Sequence, residues 1–86
     1  MITQIQAFTR SDNDVFTGME TYSVPYDGDV WGRAYACGYN SNHLGSPMQN
    51  VRDCLTASGF TRVNVITYGG GDGDPATIGE IWQASS

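Results

Sequence analysis

Six of the nine acidic residues fall into three short units of one form: Asp12-Asn13-Asp14, Asp27-Gly28-Asp29 and Asp72-Gly73-Asp74. Carboxylates at this spacing suit two kinds of chemistry, coordination of a hard cation or display of fixed negative charge to a basic partner. Residues two apart in extended backbone lie about 6.6–7 Å apart, so each unit forms a spaced row of charge better than a tight site. A calcium site needs six to eight converging oxygens. None of the three units continues into an EF-hand loop, which requires a third acidic position and a later glutamate. Coordination by a pair of loops is an alternative. The structural alternative is that Asp and Gly are good turn formers.

Other reactive side chains are few. His43 is the single histidine, with Cys37 and Cys54 as conceivable partners, and a Cys–His pair works only with an acidified, reachable thiol. Both cysteines are expected to act as small buried hydrophobes, without a disulfide framework. No Ser–His–Asp order, H-E-x-x-H or C-x-x-C is present, and two cysteines with one histidine are too few to close a structural zinc site without a carboxylate. Gly69-Gly70-Gly71 lacks the Lys-Ser/Thr of a phosphate loop and is flanked by aspartates. The expectation is therefore no catalysis and no cofactor.

Residues 30–39 read as a strand with unlike faces. Val30, Gly32, Ala34, Ala36 and Gly38 take the small side, and Trp31, Arg33, Tyr35, Cys37 and Tyr39 the bulky one. A helix approaches closely only over small side chains, which leaves Trp31, Arg33, Tyr35 and Tyr39 on an uncovered face, joined by some of Tyr22, Tyr68 and Trp82. The opposite assignment buries the aromatics instead. Trp, Tyr and Arg are enriched at binding hot spots, so the exposed arrangement predicts a protein-binding surface, including for a second copy of the chain. Single-stranded RNA binders also use open aromatic sheets, but they need surrounding positive charge.

The elements that must hold these residues follow from local signals. Residues 46–59 have the one complete helix signature: Ser46 to cap, Pro47 at the first turn, Gly59 to stop. Met48, Val51 and Leu55 recur on one face, with Cys54 and Ala57 at its edge. Strands are expected at 2–9 (an edge), at 15–24 starting near Gly18, and at 30–39, 61–68 and 77–84, with turns at 25–29 and 69–75. The order β-β-β-α-β-β predicts an α+β fold, an antiparallel sheet of four to five strands with one helix packed on one face.

Length and charge narrow the classes further. Residues 1–86 suffice for one domain with a small core. Nine acids against four arginines, with no lysine, give a net charge of −5, which repels nucleic acid and anionic membranes and attracts basic protein patches. No stretch of membrane-spanning length or basic-then-apolar start is present, so a cytoplasmic protein is expected.

In size, acidity and the run from WGRAYACGYN through a short helix into TRVNVITY, the chain resembles the small anti-CRISPR proteins of phages and mobile elements. The similarity covers about half of the chain and includes no diagnostic motif. It implies a stoichiometric inhibitor, at work in the bacterial host cell, that docks on a CRISPR-type nuclease or surveillance complex and contacts no nucleic acid itself. Asp12, Asp14, Asp27, Asp29, Asp72 and Asp74 would then mimic phosphates in a basic groove, with Trp31, Arg33, Tyr35 and Tyr39 as anchors. The competing expectations are a phage structural or self-associating module built on the aromatic face, and a small calcium- or ligand-binding domain.

Overall fold

The computed structural model describes residues 5–23, 28–40, 43–73 and 76–84. Four strands, β1 (Ile5–Arg10), β2 (Phe16–Ser23), β3 (Phe60–Gly69) and β4 (Ala76–Ala84), form one antiparallel sheet in the order β2-β1-β4-β3. Two helices, α1 (Gly28–Tyr35) and α2 (Met48–Ala57), complete an α+β fold, with a five-residue π turn, Ala36–Asn40, extending α1.

The fold class is as expected, but residues 30–39 are helical, so the third strand is withdrawn and the sheet has four strands. The segment carries two overlapping patterns. Besides its alternation, it places Val30, Ala34 and Cys37 at helical spacing, and these are the residues that meet the core. Strand β1 is also central rather than at an edge, lying between β2 and β4.

Helix α2 has the expected inner face: Met48, Val51 and Leu55 have no exposed surface. Its start differs from expectation. Pro47 occupies the cap position, and the Ser46 hydroxyl donates to the His43 carbonyl instead of capping the helix. Gly59 takes the left-handed conformation, φ 89°, that closes the C-terminus.

The core joins both helices to the helix-facing side of the sheet, through Phe8, Phe16, Phe60, Trp82 and Ala84. Gly38 in the π turn permits a close approach: a Cβ there would stand 2.9 Å from the Met19 sulfur and 3.3 Å from the Phe16 ring. Beneath the helices, Gln6 is fully buried and neither side-chain polar atom has a hydrogen-bond partner among the described residues. Burying an unpaired amide is costly. Gln6→Leu is therefore expected to raise stability by about 1–2 kcal/mol, read from the urea midpoint at unchanged m-value.

The cysteines correct another expectation. Cys37 and Cys54 form a disulfide, with Cα atoms 5.6 Å apart, tying the π turn to α2 across 17 residues. The helical course of residues 30–37 is what brings Cys37 to α2. A loop of this length is closed with a stabilisation of about 3 kcal/mol in the chain-entropy account. Cys37→Ser with Cys54→Ser should lower stability by about that much, measured by chemical denaturation against the oxidised parent.

Candidate functional site

The aromatic residues singled out in residues 30–39 do come together, on a helix instead of a sheet. Trp31, Tyr35 and Tyr39 stand four residues apart, and side chains at that spacing stack along one helical face. The rings of Trp31 and Tyr35 are stacked with centroids 4.8 Å apart, and those of Tyr35 and Tyr39 lie 5.3 Å apart. Tyr39 then meets Phe16 edge-on at 6.4 Å, which connects the row to the core. Trp31 and Tyr35 are half-buried and Tyr39 is 39% exposed. The result is a continuous aromatic ladder along one partly buried flank of α1.

The Tyr39 hydroxyl also accepts a hydrogen bond from the Met19 backbone N–H at 3.2 Å. That contact covers part of the free edge of β2 and fixes the foot of the ladder.

Arg33 leaves the aromatic group. It lies on the other side of α1, where Nη1 donates to the Ser58 carbonyl at 2.7 Å and the guanidinium sits 5.4 Å from the centre of the Phe60 ring. Its role is to pin α1 to the end of α2.

The acidic units do not form one row. Arg10 pairs with Ile78 and Gly69 with Ala76, so the turns carrying Asp12 and Asp72 share one end of the sheet. Helix α1, with Asp29 in its first turn, lies toward the other end, since its Arg33 rests on Phe60, which pairs with Ala84. Asp12, Asp29 and Asp72 are exposed. Asp27 and Asp74 lie outside the described residues. Among the described residues, no three His, Cys, Asp or Glu side chains gather as a metal group.

Asp14 is engaged within the chain, in a cluster that composition alone did not reveal. Glu80 on β4 is completely buried, and its carboxylate accepts from Arg10 Nε at 2.6 Å, Arg52 Nη2 at 2.6 Å and Trp82 Nε1 at 3.2 Å. Arg62 Nη1 stands 3.6 Å from it. Arg52 reaches onward to both oxygens of Asp14, at 2.5 and 2.9 Å. Burial by itself would raise the Glu80 pKa, but hydrogen bonds from Arg52 and Arg10 outweigh it and hold the group below the ordinary carboxylate value. The hydrogen bond from Arg52 likewise lowers Asp14, and both acids raise Arg52.

This cluster joins α2, β1, β4 and the β1–β2 turn. A signal for it was present, because Glu80 sits between Ile78 and Trp82 on the alternation of β4, an acid in an inward-facing position. A shallow cleft of about 740 Å³ opens beside it, lined by Gln49, Arg52, Thr56, Arg62 and Trp82. All three guanidinium nitrogens of Arg52 already donate within the chain, so the cleft offers an incoming anion little beyond Arg62.

No family model matches this chain, and neither curated proteins nor solved structures show a match to it.

Proposed function

We propose that this chain is a small acidic protein-binding inhibitor. It docks stoichiometrically on a basic, nucleic-acid-binding surface of a bacterial CRISPR-type nuclease or surveillance complex, without catalysis, cofactor or membrane. The observation that carries the reading is the partly exposed Trp31–Tyr35–Tyr39 ladder on one flank of α1, in a chain of net charge −5. Stacked, half-exposed aromatics supply a preformed anchor, and the surrounding acid speeds encounter with basic partners.

In this reading Asp12, Asp27, Asp29, Asp72 and Asp74 present charge to the partner, and Asp12, Asp29 and Asp72 are exposed. Asp14 and Arg33 serve within the chain, with the bonds described above. A bacterial cytoplasm would keep thiols reduced, so binding is to be measured with Cys37–Cys54 both closed and open.

The test is the salt dependence of association with a guide-loaded effector complex. Asp12→Asn, Asp29→Asn and Asp72→Asn together should slow association by about tenfold or more at low ionic strength, and change it little at high salt. An association rate indifferent to both salt and substitution would refute electrostatic mimicry.

A further inference from the structure

The two edges of the sheet are treated differently. On β2, the Met19 N–H is taken by Tyr39 and the π turn packs alongside. On β3, among the described residues, no strand or helix takes the outer side. Thr61, Arg62, Val63, Asn64, Val65 and Thr67 are all exposed, with Val63 at 51% and Val65 at 46%. A long exposed edge carrying two bare valines is a template for another strand.

Three features specify what that strand is. First, β3 is close to palindromic about Asn64, reading Thr61-x-Val63-Asn64-Val65-x-Thr67. Laid antiparallel against its own copy about a two-fold axis at Asn64, it sets Val63 opposite the second copy's Val65 and Asn64 opposite Asn64. Second, the ladder with β4 is irregular at the centre. Val63 bulges out of register with β4, and the Val65 N–H donates to the neighbouring Asn64 side chain at 2.8 Å. Third, the charge permits approach. Between Asp53 and Asp72 the one charged residue is Arg62, so β3 is an acid-free strip on a chain that otherwise repels its copies.

We infer that β3 is a self-pairing edge, through which two copies of this chain join their sheets into one of eight strands. Val63 and the second copy's Val65 exchange both backbone hydrogen bonds, and the symmetric pair does the same. The Asn64 side chain, which shields the Val65 N–H in the single copy, is released to meet its symmetry mate. Such an interface is isologous and closes at two. It is separate from the aromatic ladder on α1, and does not depend on the inhibitor reading.

Sedimentation velocity over about a hundredfold concentration range tests it, because dimer must grow with concentration. Val63→Lys with Val65→Lys places like charges opposite each other, and should weaken dimerisation about tenfold or more while the melting temperature of the dilute protein is kept. Trp31→Ala should leave dimerisation unchanged. Asn64→Cys supplies the register: opposed residues at a non-hydrogen-bonded position have Cα atoms about 4.5 Å apart, within disulfide reach. With glutathione disulfide as oxidant it should give a covalent dimer, while Thr67→Cys should not. A chain monomeric throughout, a dimer indifferent to the lysine pair, or one broken by Trp31→Ala would overturn the inference.

Discussion

Glu80→Ala is expected to lower folding stability by about 3–5 kcal/mol, the effect of removing one member of a buried charge cluster and leaving its partners unpaired. Arg10 and Arg52 would lose the carboxylate that both contact at 2.6 Å, while Trp82 Nε1 would lose its acceptor. In a domain whose whole stability is of order 5–15 kcal/mol, that change removes a large fraction of it. Urea unfolding of parent and variant at neutral pH is the measurement. A loss below about 1 kcal/mol would show that the cluster is energetically idle.

The same cluster sets the acid limit. The folded-state pKa of Glu80 and of Asp14 lies below the ordinary value, so their contribution is fully present above the unfolded pKa, near 4.5 for Glu and 3.8 for Asp. It is lost as pH falls through the depressed folded values. Stability should therefore decline on acidification below about pH 4.5, and Glu80→Gln should show a shallower decline, the two curves converging at low pH.

Trp31→Ala has the largest expected effect on binding. Trp31 starts the ladder and stacks on Tyr35 at 4.8 Å, so its loss removes the largest ring and also frees Tyr35 to move. Hot-spot aromatics contribute about 2–4 kcal/mol, so affinity for the effector complex should fall about 30- to 1,000-fold, chiefly through faster dissociation. Tyr35→Phe keeps the stack and should retain most of the affinity. The charge substitutions act on association, so the two sets of variants divide the kinetics between them.

The sequence made some of this architecture legible and hid the rest for physical reasons. Residues 61–68 and 77–84 are rich in β-branched residues, and Met48, Val51 and Leu55 repeat cleanly, so these two strands and α2 were readable, as were the strands expected at 2–9 and 15–24, which appear as β1 and β2. Residues 30–39 satisfy a period of two and a helical period together, and what decides between them is long-range. Ala34 and Cys37 fit beneath α2, and Gly38 fits against Met19 and Phe16. The aromatic group survived the change of element because Trp31, Tyr35 and Tyr39 share a face in both periods, whereas Arg33 does so only in a strand. Glu80 was legible only as an acid on an apolar alternation. Its partners Arg10 and Arg52 lie 70 and 28 residues away, a separation that local pattern cannot bridge.

The most direct test of inhibition by docking is a competition experiment with a guide-loaded effector complex and its labelled target DNA, titrated with this protein in both redox states of Cys37–Cys54. The account predicts displacement of the DNA complete near one protein per effector, reversed by Trp31→Ala and weakened by the Asp→Asn set. DNA binding and cleavage unchanged at a large excess of the protein, across effector types, would contradict it.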